Sequence, residues 1–238
     1  MIIFTDMKKP YAYILLLFLP LISLGQGQIG VKGGYIYYWF TEPEEGGFTC
    51  DYNYSHSAYS IAVSLRQRTS HTFNHGVEIV YSNRSFSVKS SDQKPGGGET
   101  VDYDYTIGNI YLQFQPQFTF GSKIKFFFYP GFYFGTLLHS SIQGTENSWH
   151  MGYLPETDTI SGSASDYYPN FEFGVLLGIG IEIPVYKNLN IVYENNFSMN
   201  LLPVANAWGS EKTKMLNLNF ELGLAYTFAR NKAKSSEK

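Results

Sequence analysis

A single cysteine, Cys50, occurs in 238 residues. One thiol excludes an intramolecular disulfide framework and any metal site built from several cysteines. Charge is scarce as well: Asp, Glu, Lys and Arg make up 16% of the chain, and the net charge is −3. That balance gives no reason to expect nucleic acid as a partner, because a phosphate-binding surface needs concentrated Lys and Arg. Long apolar runs are missing too. Beyond residue 25 no stretch approaches the roughly 20 residues that a membrane-crossing helix requires. What the chain holds in quantity is 20 Tyr, 19 Phe and 23 Gly.

The first 25 residues read as a targeting segment. Lys8 and Lys9 precede the apolar run Ile14 to Leu24, and Ser23-Leu24-Gly25 places small residues at a cleavage site. That is the charge, core and exit of a secretory signal. Residues 1–25 are therefore expected to be removed, residues 26–228 to form one domain, and residues 229–238, with Arg230, Lys232, Lys234 and Lys238, to be a short basic periplasmic tail.

Alternation is the dominant pattern. In LNLNFELGLAYTF, Leu216, Leu218, Phe220, Leu222, Leu224, Tyr226 and Phe228 share one parity, and Asn217, Asn219, Glu221, Gly223, Ala225 and Thr227 share the other. Successive strand side chains point to opposite faces, so such a segment is a strand with one apolar face and one polar, small-residue face. Eight stretches behave this way: 27–39, 57–66, 73–88, 101–120, 124–142, 168–183, 189–202 and 213–228. Pro116 and Pro130 fall on the apolar parity, where proline removes a ladder donor. Ile107 is out of phase with its neighbours, which suggests a bulge or the end of the buried band.

The connections alternate between long, polar and Gly-rich (40–56, SSDQKPGGGETV, 143–167) and short (Gly121-Ser122-Lys123, Pro184 to Asn188). Short turns join antiparallel neighbours, and KPGGGE reads as a flexible tip. An eight-stranded barrel interior is just wide enough for side chains to fill. A soluble barrel would turn its apolar parity inward, a membrane barrel outward. Volume decides: the apolar parity carries too many large rings for that interior. The other parity offers Gly30, Gly34, Ala62, Ser64, Gly174, Gly178, Gly180, Gly223 and Ala225. The expected fold is all-β: an eight-stranded antiparallel up-and-down transmembrane β-barrel with outer-membrane lipid against its apolar face. Aromatic residues at both rims agree with a bilayer interface.

The stretch Glu221-Leu222-Gly223-Leu224-Ala225-Tyr226-Thr227-Phe228 resembles the C-terminal signal of outer-membrane barrels, with Gly223, Tyr226 and Phe228 at the characteristic positions. The mature chain as a whole, with its Leu-Gly-Gln signal exit, is similar to the outer-membrane β-barrel domain proteins of Bacteroidota, the PorT-like family. The resemblance implies location in the cell outer membrane and recognition by the barrel-assembly machinery. Ten residues follow Phe228, whereas such a signal is usually terminal.

The lumen parity gathers Lys32, Arg66 and Arg84 beside Glu78, Glu172, Glu182, Glu194 and Glu221, with His139 nearby. These read as an ion-pair and hydrogen-bond network filling the barrel, since buried charges must be paired. His71 and His75 stand four apart across a turn rather than on one helical face, so no metal is assigned. KPGGGE lacks the ending of a phosphate loop, and no cofactor is assigned. His139 with Ser140 or Ser141 is the only pair that resembles nucleophile and base, and no third group orients it. The functional expectation is a non-enzymatic envelope barrel that meets an external ligand through loops 40–56 and 143–167. The alternatives are a narrow transport or secretion-accessory barrel and, third, a barrel enzyme acting on lipid.

Overall fold

The computed structural model describes residues 26–40, 49–53, 58–70, 72–94, 96–150, 152–165, 168–202 and 214–228. The segment 1–25, the tail 229–238, His56 and His71 lie outside them. Among the described residues ten strands are present: β1 (Gln26–Phe40), β2 (Thr49–Asn53), β3 (Tyr59–Arg68), β4 (Phe73–Lys94), β5 (Gly97–Phe120), β6 (Lys125–His150), β7 (Glu156–Gly162), β8 (Phe171–Tyr186), β9 (Leu189–Asn200) and β10 (Met215–Thr227).

Eight of them close on themselves. The order β4-β3-β1-β10-β9-β8-β6-β5 returns to β4 through the β4–β5 pairing, and every pairing is antiparallel. Closure satisfies backbone donors and acceptors between strands, which lipid would otherwise leave unmet. The barrel expected from the alternation is what forms. Its outer wall is apolar: Val31, Ile61, Val63, Leu177, Ile179, Leu222 and Leu224 are all exposed.

Two connections expected to be loops are largely strand. β4 continues to Lys94, which stands opposite Gly97 at the start of β5. SSDQKPGGGETV is thus a hairpin arm with a two-residue turn, in which Gly96 has φ 100°. A polar composition concealed it, because a strand arm with no apolar outer face lacks the alternation that marks the others. Similarly, β6 runs to His150 and carries β7, while β2 pairs with the upper part of β4.

The same change of surroundings explains Ile107. Through the lower barrel the lumen parity is mainly polar, with Val80, Phe127, Leu176 and Val192 among it, and the outer parity is apolar. Above Arg84 the solvents exchange sides without a change of frame. Phe86, Val88, Val101, Tyr103, Tyr105 and Ile107 now point inward and pack with Ile36, Tyr38, Ile142, Tyr168 and Met215. Outside at this level lie Ser85 with Thr106, Ser87 with Asp104, and Lys89 with Asp102 at 2.6 Å. Ile107 belongs to that apolar cap. A bulge is present beside it, on the partner strand: Gly108 faces His139 but Asn109 faces Leu137, which leaves Leu138 as the extra residue of β6.

The prolines mark a second irregularity. The β5–β6 register runs to Phe114↔Phe132 and resumes at Phe118↔Phe128 in the same frame. Pro116 and Pro130 therefore stand opposite one another in a short break of the ladder, and neither has an N–H to donate. At the turn after β8, Lys187 has φ 34°, the sole positive value for a non-glycine among the described residues. A left-handed backbone costs an L-residue about 1–2 kcal/mol, partly offset by the entropy of glycine in the unfolded chain. Lys187→Gly is expected to stabilise the barrel by about 0.5 kcal/mol, measured as a higher urea midpoint for folding into vesicles.

Candidate functional site

Charged and polar side chains converge inside the lower barrel because every second residue of all eight wall strands points there. The central cluster is built around Lys32 of β1. Its ammonium lies 2.9 Å from Glu78 of β4, 2.8 Å from Glu194 of β9 and 2.9 Å from Glu221 of β10. Arg66 of β3 joins Glu194 at 2.9 Å and lays its guanidinium over the Phe127 ring at 5.0 Å. Tyr129 donates to the other oxygen of Glu194. Gln115 donates to Glu78 at 2.8 Å, and Ser60 to Glu221 at 3.1 Å.

The three carboxylates bring oxygens within 4.8 Å of one another, close enough to surround one cation. The cation in that position is the Lys32 ammonium. Glu78 Oε1 and Glu221 Oε2 have no aligned hydrogen-bond donor among the described residues, so the 2.9 Å ion pairs to Lys32 are what hold them. This side chain is therefore the counter-charge of the whole cluster.

A second cluster sits between the first and the apolar cap. Arg84 reaches Glu172 at 3.6 Å, donates to the Tyr111 and Tyr168 hydroxyls, and stacks over Tyr111 at 5.4 Å. Glu172 also accepts from Asn109, from Tyr168 at 2.6 Å, from Tyr111 at 3.0 Å and from Asn200 at 2.9 Å. Tyr133 donates to Asn200. Glu172 is satisfied on both oxygens. Charges this deeply buried need such neighbours, since an unpaired one costs several kcal/mol.

Glu182 stands apart, near the short-turn mouth, paired with Lys125 at 3.0 Å. These two, with Gln28, Arg66, Arg68, Asn74, Thr119, Gly121 and Thr227, line a polar vestibule of about 70 Å³. Higher up, a space of only about 20 Å³ is left between Ser60, Ser82, Tyr111, Tyr133 and Asn219. Above it the apolar cap fills the lumen.

Tyrosines complete the filling, and glycines make room for them. Tyr129 lies across Gly178, Tyr133 across Gly174 and Phe127 across Gly180, so that a Cβ on any of these three β8 glycines would collide with a ring. Gly223 faces the lumen beside Lys32, which a Cβ there would strike. Tyr226 and Phe228 point outward at the short-turn rim, with ring centroids 5.2 Å apart.

His139 is placed differently from the sequence expectation. The bulge at Leu138 turns it to the outer wall, over Gly108 and stacked on Tyr81 at 6.5 Å. It has left the lumen clusters, and Ser140 instead contacts Ser163 at 3.4 Å. No nucleophile–base pair forms there. Sequence reading also passed over the tyrosine donors Tyr111, Tyr129, Tyr133 and Tyr168. Their parity was the available signal, because each falls on the lumen side of its strand or, for Tyr168, just before one.

A family model described as outer membrane protein beta-barrel domain matches residues 25–206. No curated protein matches the chain. Among solved structures, Neisserial surface protein A is similar over 85% of this chain and 97% of its own, at 10% identity and a TM-score of 0.46. OprG from Pseudomonas aeruginosa is similar over 87% and 98%, at 13% identity and a TM-score of 0.42. Ail, the attachment invasion locus protein of Yersinia pestis, crystallised with the heparin analogue sucrose octasulfate, is similar over 85% and 99%, at 11% identity and a TM-score of 0.39.

Proposed function

The chain belongs to the outer membrane protein β-barrel domain family, and from that premise we propose that it is a closed, non-enzymatic barrel whose work is done by the part standing outside the membrane. One observation carries the reading: the lumen is filled from the Lys32 cluster to the apolar cap, while β2, β4, β5, β6 and β7 extend the wall as a crown. The outer edge of that crown bears exposed Asp104, Glu156 and Asp158. It presents a stiff, largely acidic β surface to the external medium. The ligand it meets binds through 40–56 and 143–167.

The remaining parts follow the same scheme. Residues 1–25 direct export and are cleaved, Gly223, Tyr226 and Phe228 are read by the barrel-assembly machinery, and the basic tail stays in the periplasm. PorT-like proteins of Bacteroidota are the group to which this arrangement fits.

Planar-bilayer recording tests the closed barrel. The expected result is no stable, large open channel at either polarity, because two ion clusters and a hydrophobic cap lie in series. A steady conductance of porin size overturns the proposal. The polar vestibule at the short-turn mouth favours a narrow transport path as the second reading, and swelling of liposomes in small solutes separates the two.

A further inference from the structure

The outer wall of β8, β9 and β10 is apolar at nearly every position. Val175, Leu177, Ile179 and Ile183 on β8, Tyr193 and Phe197 on β9, and Phe220, Leu222 and Leu224 on β10 are all exposed. Asn195 interrupts them. It lies midway along β9, paired in register with Ile179 on one side and Phe220 on the other. Its parity is that of Tyr193 and Phe197, so it faces lipid, and its Oδ1 is shut off from solvent without a hydrogen-bond partner. An amide left unpaired in hydrocarbon is costly, because neither water nor lipid chains can satisfy it.

Beside Asn195 the wall is indented. A groove of about 360 Å³ runs between Phe120, Phe126 and Phe128 on one flank and Tyr193 on the other, with Ile179 and Ile181 in its floor. Asn195 lines the same groove. Two features that a barrel surrounded only by lipid has no use for thus coincide: a missing hydrogen-bond partner and a concavity of ring size.

Depth selects the occupant. At the middle of a spanning strand the bilayer offers only methylene and methyl groups, so no lipid brings a donor to Oδ1 when the amide turns about its Cβ–Cγ bond and carries that oxygen out of the wall. A protein does. Two co-oriented barrels related by a two-fold axis along the membrane normal place identical residues at identical depth, facing each other. An amide carries both a donor and an acceptor, so it is complementary to itself. We propose that the chain self-associates through the β8–β9–β10 wall, with Asn195 of each copy hydrogen-bonded to its counterpart and an aromatic ring of each copy seated in the other's groove. Close packing and buried amides are the means by which membrane segments recognise one another, since apolar surface alone gives no preference over lipid.

The test uses the full processed chain in lipid vesicles, labelled with one fluorophore and counted by single-molecule photobleaching over a range of protein-to-lipid ratios. Wild type is expected to pass from one step to two as the ratio rises. Asn195→Leu is expected to need about ten-fold more protein for the same dimer fraction. Asn195→Gln, which keeps the amide, should stay close to wild type, and Ile79→Leu on β4, across the barrel, should not move the midpoint. Loss of folding does not confound the result, because leucine removes a polar atom from lipid, and the folded band on an unheated gel checks it. Wild type that remains monomeric throughout, or Asn195→Leu with an unchanged midpoint, overturns the proposal. So does a photo-cross-linker at position 195 that captures a different envelope protein and no second copy.

Discussion

Lys32→Met is expected to cost about 3–5 kcal/mol of folding free energy, the usual consequence of removing one partner from a buried ion cluster. Methionine nearly preserves the length of the side chain, so the loss is one of charge rather than of packing. Glu78, Glu194 and Glu221 would be left around an apolar atom, with Arg66 bonded to Glu194 alone. Glu78 Oε1 and Glu221 Oε2 lose the single group that holds them. The measurement is urea-dependent folding into vesicles, read by tryptophan fluorescence and by gel mobility without heating. Adding Glu78→Gln and Glu221→Gln to Lys32→Met should recover a large part of the stability, since two of the stranded charges disappear. A Lys32→Met protein with the wild-type midpoint would show that the cluster is hydrated and not a sealed core.

The second large effect lies on β8. Gly178→Ala is expected to cost about 2–3 kcal/mol, at the upper end of overpacking costs. The new methyl enters the space occupied by the Tyr129 ring. Elsewhere a ring would swing aside. Here its hydroxyl is bonded to Glu194 and the side chain is almost fully buried, so it has nowhere to move. The coupling is testable by a double-mutant cycle. Tyr129→Ala should be destabilising by itself through the lost ring and hydroxyl, yet Gly178→Ala should add little on top of it. Tyr129→Phe, which keeps the ring, should give no such relief. Additive behaviour of Gly178→Ala with Tyr129→Ala would mean that the collision is not what makes the glycine necessary.

These two positions also show what could be read in the residues. Lys32 and Gly178 were both placed in the lumen by parity, because alternation is a period-two signal that survives without any partner information. The closed antiparallel barrel and its apolar exterior followed from the same signal together with a volume argument. What parity could not supply was the grouping of Lys32 with Glu78, Glu194 and Glu221, four residues on four strands. That depends on the stagger between strands, which no single segment encodes. His139 was misplaced because a one-residue bulge at Leu138 inverts every later assignment on β6. Asn195 stands as an amide among apolar residues of one parity, and its meaning required knowing that its Oδ1 has no partner in its own barrel. The crown was taken for loop because strands in water need no apolar outer face. Ser91, Glu99 and Thr100 look like loop composition while standing in a regular ladder.

The exchange of sides above Arg84 divides the molecule into two thermal regimes. Opening the lower section uncovers the two ion clusters together with Val80, Phe127, Leu176 and Val192, and its outer wall stays against lipid. Opening the crown exposes Phe86, Val88, Val101, Tyr105 and Ile107 to water, as in a soluble domain. The large positive heat-capacity increment that accompanies hydration of apolar groups therefore belongs mainly to the crown. Its stability is a curved function of temperature that weakens on chilling as well as on heating, while the portion held in the bilayer, whose outer apolar wall meets lipid in either case, curves less.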